Sequence, residues 1–120
     1  MDGTLKLLQE VKLSSEESDY GAEIMFNSAG DRLYASSRGT GVLIVFKFDM
    51  FTEKLELIEQ LEQHGSWPRH FAMDDENKII VTTDQKGHSI QVLHIDQTSG
   101  LLVPGKHVAT EENPAFVTFL

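Results

Sequence analysis

Hydrophobic and polar residues change places along this chain in short runs. Each run is closed by Gly, Pro, Asn, Asp or Ser, which is the pattern of strands and turns. Thr4-Leu-Lys-Leu-Leu-Gln-Glu-Val-Lys-Leu13 alternates well enough for a strand, and Ser14 to Asp19 is a polar loop. Glu23 to Asn27 is a short apolar run, rich enough to be buried on both faces. Ser28-Ala-Gly-Asp31 reads as a turn in which Gly30 supplies a positive φ. Arg32 to Ser37 is the next strand, Gly39-Thr-Gly41 a tight connection, and Val42 to Phe48 a strand of β-branched and aromatic residues. After a turn at Asp49 to Lys54, Leu55-Glu-Leu-Ile-Glu-Gln-Leu61 reads as a strand with Glu and Gln toward water. A helix competes over residues 50–64, because Leu55, Ile58 and Leu61 have helical spacing and Glu and Gln are good helix formers.

The same order then recurs. Ala22-Glu-Ile-Met-Phe-Asn-Ser-Ala-Gly-Asp-Arg-Leu-Tyr-Ala-Ser-Ser-Arg38 lies over Pro68-Arg-His-Phe-Ala-Met-Asp-Asp-Glu-Asn-Lys-Ile-Ile-Val-Thr-Thr-Asp84. In this alignment Leu33 falls on Ile79, Tyr34 on Ile80, Ser36 on Thr82 and Ser37 on Thr83, a period of 46 residues. The second copy continues with strands over 78–83, 89–95 and 101–109, and a third copy starts at Pro114, with Phe116 to Leu120 as its first strand. The repeat also decides against the helix, since the equivalent segment holds Pro104 and Gly105.

A repeat of roughly 40–50 residues made of short strands is the signature of a β-propeller blade. The expected fold is all-β: a propeller segment of about two and a half four-stranded antiparallel blades. Residues 1–20 would carry the outer strand of a preceding blade, 21–67 and 68–113 two full blades, and 114–120 the inner strand of a closing blade. Such a piece exposes apolar blade faces and an unpaired edge, so self-association is expected.

Composition narrows the function. The net charge of −9 argues against nucleic acid and anionic membranes as main partners. There is no cysteine, hence no disulfide framework and no thiolate chemistry. No apolar run approaches the ~18–20 residues of a membrane helix, and none of the first residues resembles a signal peptide. A cytoplasmic location is the expectation. The five histidines (His64, His70, His88, His94, His107) show no zinc-site spacing. Gly39-Thr-Gly41 lacks the Lys and the strand-to-helix setting of a phosphate loop. Asp74-Asp-Glu-Asn77 reads as a solvated turn rather than a cation loop. No cofactor and no metal is expected. Trp67 either packs between blades or lines the channel mouth.

At Glu23-Ile24, Leu33-Tyr-Ala-Ser-Ser-Arg38, Pro68-Arg-His-Phe71 and Pro114-Ala-Phe-Val-Thr-Phe119 the sequence resembles the lactonase family of seven-bladed β-propellers, of the 6-phosphogluconolactonase type. The resemblance runs over about residues 3–120 and to the carboxy-terminal third of such a protein. Ser37 stands where the family has Asn before the arginine. The resemblance implies hydrolysis of a sugar-acid lactone, in carbohydrate metabolism, by a full propeller of which this is a part. A non-catalytic module binding a protein or an anionic metabolite, or an inactive fragment, are the alternatives.

In a blade the start of the first strand and the end of the second emerge on the same face of the disc. Glu23, Arg38, Arg69 and His70 are therefore expected to converge at one mouth of the central channel. Lactone opening needs a base for water and donors for the oxyanion. Glu23 fits the first role, while Arg38 and Arg69 fit the second and can clamp an anionic sugar acid. His70 is a candidate for proton transfer or hydrogen bonding. The plainer alternatives are a structural ion pair through Glu23 and a satisfied strand-end histidine at 70.

Overall fold

A computed structural model describes residues 2–62, 67–110 and 112–120. It is all-β, with two four-stranded antiparallel meanders in sequence order. The first holds β1 (Tyr20–Phe26), β2 (Arg32–Arg38), β3 (Val42–Asp49) and β4 (Lys54–Glu62). The second holds β5 (Pro68–Met73), β6 (Ile79–Asp84), β7 (Ser89–Ile95) and β8 (Leu102–Ala109). Among the described residues no helix is long and apolar enough to cross a membrane. His64 lies outside the described residues.

The period in space is 47 residues, not the 46 of the sequence alignment. Leu33 pairs with Phe46 and Ile80 with Leu93; Ser37 pairs with Val42 and Asp84 with Ser89. Leu33 thus corresponds to Ile80 and Tyr34 to Val81. The run Ile79-Ile-Val81 offers an apolar side chain at either register, so hydrophobicity alone does not separate the two. The backbone does. Residues with positive φ recur 47 apart at Gly30 and Asn77, Gly41 and His88, and Glu53 and Gly100. Each occupies the same left-handed turn position in its own blade.

The helical spacing of Leu55, Ile58 and Leu61 is a bulged strand. Leu57 faces Phe46 and Glu59 faces Val45, which leaves Ile58 as the extra residue. A bulge shifts the alternation by one, turning a spacing of two into three. In β8, Pro104 faces Leu93 and His107 faces Gln91, so the second blade bulges at the same level, where Gly105 and Lys106 lie opposite Val92.

The two sheets pack face to face. Tyr34, Leu43 and Val45 of the first meet Phe71, Ile80, Leu93, Ile95 and Leu102 of the second in one buried cluster. Main-chain and side-chain bonds stitch the seam: Tyr34 Oη donates to Gly100 O (2.8 Å), Arg32 Nε to Ser99 O (3.0 Å), and Leu102 N–H to Glu59 Oε2 (2.8 Å). The other face of the first sheet, with Leu33, Ala35, Ile44 and Phe46, is covered by Val11 and Leu13.

Two expected strands form no ladder. Residues 4–13 and 116–120 carry no strand assignment, because among the described residues neither forms a main-chain ladder with the strand beside it. Side chains fasten the first segment instead. Gln9 donates from Nε2 to Leu55 O (3.0 Å) and accepts from Leu55 N–H at Oε1 (2.7 Å), imitating a ladder partner. Nor is β1 buried on both faces: Ile24 is 61% exposed. Among the described residues it is an edge strand paired only with β2, and around Ile24 it is left open.

Candidate active site

The inner strands β1 and β5 both bulge near their starts. Between the pairs Gly21–Ser37 and Ile24–Ala35, Ala22 and Glu23 lie opposite Ser36 alone. Between Pro68–Asp84 and His70–Thr83, Arg69 is the extra residue. Bulges re-aim side chains, and here they present Glu23 and Arg69. At a period of 47, Ala22 corresponds to Arg69 and Glu23 to His70. The Ser36 hydroxyl accepts the Glu23 N–H (3.0 Å), taking the place of the ladder bond lost at the bulge.

Glu23 and His70, the same position in successive blades, meet across the seam. His70 Nε2 stands 3.0 Å from Glu23 Oε2, with both side chains largely shielded. Glu23 Oε1 accepts the Ile24 N–H (2.9 Å). His70 Nδ1 accepts the Val117 N–H (3.2 Å), and Phe116 stacks on the imidazole at a centroid distance of 4.2 Å. The His70 carbonyl takes the Thr83 hydroxyl (3.1 Å), which anchors the strand beneath the ring.

Arg38 and Arg69 border the same opening. A cavity of about 300 Å³ is lined by Ala22, Arg38, Arg69, His70, Ala115 and Phe116. That is the lower end of small-molecule sites. Arg38 donates from one terminal nitrogen to Gly21 O (3.1 Å), while its Nε is buried without a partner. Its guanidinium lies 5.8 Å from the Tyr20 ring and 5.6 Å from the Trp67 ring. Arg69 makes no hydrogen bond or ion pair among the described residues and is exposed. Three of the four residues picked from the sequence, Arg38, Arg69 and His70, line this opening, and Glu23 reaches it only through its contact with His70.

Sequence reasoning missed three neighbours. Tyr20 and Lys86 flank Trp67, with Lys86 Nζ 3.3 Å from the indole centroid. The third is the Val117 amide, a main-chain group for which no side-chain signal exists. Asp74 is taken up by its own turn, its Oδ1 accepting from Lys78 and Ile79 N–H (2.7 and 2.9 Å).

Two four-stranded antiparallel meanders packed face to face are consecutive blades of a β-propeller, the class that the fold defines. Known proteins agree: the family described as lactonase, 7-bladed β-propeller, matches residues 1–119. The chain belongs to that family. It is 27% identical over 116 residues to the 6-phosphogluconolactonase of Pectobacterium carotovorum subsp. carotovorum, covering 97% of this chain and 35% of that protein. With the 6-phosphogluconolactonase of Pectobacterium atrosepticum the identity is 28%, at the same coverage. A crystal structure of a protein from Lactobacillus plantarum superposes with a TM-score of 0.78 at 27% identity, over 86% of this chain and 30% of that one. The chain thus spans about a third of the length of the relatives it matches.

Proposed function

We propose that this segment supplies one wall of a cofactor-free lactonase site that opens a sugar-acid lactone such as 6-phosphogluconolactone. The observation that carries this reading is two guanidinium groups and His70 lining a single small cavity in an otherwise acidic chain, with the oriented Glu23 carboxylate held 3.0 Å from His70. Glu23 takes a proton from water as the water oxygen bonds to the lactone carbonyl carbon. Arg38 and Arg69 hold the oxyanion and the negative substituents of the acid. The ring C–O bond then breaks, and its oxygen takes the proton to give the open hydroxy acid.

The test is hydrolysis of 6-phosphogluconolactone by the complete ring carrying this segment. Glu23→Gln and Arg69→Ala should each lower kcat/KM by about 100-fold. Unchanged turnover would remove both assignments. One observation favours a second reading, a module that binds an anionic metabolite without turnover: both oxygens of Glu23 and both ring nitrogens of His70 already have partners within the protein. Binding of a sugar phosphate with no hydrolysis supports that reading.

Expressed alone, the chain is proposed to associate with itself. Tyr20, Ile24 and Phe26 of β1 and Phe116, Phe119 and Leu120 are exposed apolar side chains that blade neighbours would cover. Light scattering behind size exclusion reads the outcome, and a compact monomer would overturn it.

A further inference from the structure

We propose that the Val117 main-chain amide fixes the tautomer of His70, making His70 a positioning residue that aims the Glu23 carboxylate rather than a proton shuttle. A backbone N–H can only donate, so Nδ1, which faces it at 3.2 Å, presents its lone pair. In the neutral imidazole the proton then sits on Nε2, which faces Glu23 Oε2 at 3.0 Å. The bonds run in one direction, from the Val117 N–H to Nδ1 and from Nε2–H to the carboxylate. The opposite tautomer would set two donors face to face at Nδ1 and two lone pairs face to face at Nε2. Phe116, stacked at an interplanar angle of 29°, holds the ring plane.

Two donors from two blades thus orient Glu23: the Ile24 N–H on Oε1 and the His70 Nε2–H on Oε2. With Nδ1 committed to Val117, the imidazole has no free lone pair with which to accept a proton. Proton abstraction from water falls to Glu23. Residues 116 and 117 act on the carboxylate only through His70, since neither contacts Glu23 in any hydrogen bond or ion pair among the described residues. The consequence for turnover rests on the lactonase reading above; the tautomer does not.

The experiment is long-range 1H–15N correlation spectroscopy on the folded chain labelled with 15N-histidine. His70 should show a protonated Nε2 and a bare Nδ1. Val117→Pro, which deletes the N–H, should move His70 to a mixture of tautomers, and Val117→Ala, which keeps it, should not. A proton on Nδ1 in the unsubstituted chain overturns the proposal, as does an unchanged His70 signature in a folded Val117→Pro. Should Val117→Pro fail to fold, the spectrum of the unsubstituted chain still decides the tautomer. In the complete ring, His70→Gln, whose amide N–H reaches the Nε2 position, should keep kcat within about tenfold. His70→Ala should lose about 10- to 100-fold in kcat with little change in KM. Equal losses in the two variants would overturn the positioning role. No lactone turnover in any variant, with the tautomer as stated, would count against the lactonase reading and leave the tautomer standing.

Discussion

The two blades share strand order, bulges and turn conformations, yet their inner strands differ sharply in burial. Ile24 of β1 and Phe71 of β5 occupy the same blade position, 47 residues apart. Ile24 is 61% exposed and Phe71 is 0% exposed. The cause is what stands beside each strand. β5 has the first sheet against it on one side and the segment around Phe116 and Val117 on the other. Among the described residues β1 has β5 on one side, and on the other Leu13 reaches Gly21 but leaves Ile24 open. A blade's own sequence therefore builds its ladder, while the preceding blade supplies the burial of its inner strand. The candidate site sits at that seam, because Glu23 and His70 become partners only when consecutive blades pack.

The comparison can be broken most directly at these two positions. Phe71→Ala should cost about 3–5 kcal/mol, as for a fully buried aromatic. Ile24→Ala, at the same blade position, should cost less than about 1 kcal/mol. Urea unfolding monitored by circular dichroism reads both, and equal costs would mean β1 is covered in solution.

A second test uses the turn before the outermost strand. Gly100 has a φ of +77°, and a Cβ there would lie 2.7 Å from Arg32 Nε; its counterpart Glu53 holds a φ of +56°. Gly100→Ala should cost about 2 kcal/mol, and Glu53→Gly should instead stabilise by about 0.5–1 kcal/mol. The same unfolding experiment reports both signs.

Tyr34 sharpens the seam itself. Its phenol donates to Gly100 O, and burial pushes its pKa up to about 12 from an ordinary 10.0. Tyr34→Phe should cost about 1 kcal/mol at neutral pH. Because the folded value lies above the unfolded one, the stability Tyr34 contributes is complete below pH 10 and is lost as pH rises toward 12. Unfolding midpoints measured from pH 8 to 11 should fall less steeply in Tyr34→Phe.

The smallest effect belongs to Asp49 and Asp96, again 47 apart, whose carboxylates accept turn amides. Asp49 takes the Phe51 and Thr52 N–H, and Asp96 the Thr98 and Ser99 N–H. Those amide bonds hold both carboxyls below their usual value of 3.8. Their contribution is therefore present above pH 3.8 and is lost as pH falls through the lower folded values. Replacing both by Asn should flatten the acid limb of the stability curve slightly.

Much of the fold was legible along the chain, since period-two alternation and turn residues mark the eight ladder strands. The helix-like spacing over Leu55, Ile58 and Leu61 shows where such reading strains: a bulge and a helix give the same three-residue step. The register of the repeat was off by one for a related reason, as Ile79 and Ile80 are equally apolar. The convergence of Glu23, Arg38, Arg69 and His70 is an expectation from strand direction alone; in space Arg38, Arg69 and His70 line one cavity and Glu23 contacts His70. The Glu23 to His70 contact and the grip of Val117 on Nδ1 could not be read this way. They depend on angles between blades and on a main-chain amide.

Sequence by itself determined the local elements of this protein. Alternation, β-branched residues and left-handed turn positions act over a few neighbours, and each blade carries its own set. Tertiary structure decided what those elements face. Burial of β5, exposure of β1 and the hydrogen-bond direction through His70 depend on contacts more than 40 residues apart in the chain, such as Val117 N–H with His70. Hydrophobic burial carries no direction, so one pattern fits an edge and an interior alike; the hydrogen bonds across the seam, which do carry direction, exist only once the blades have docked.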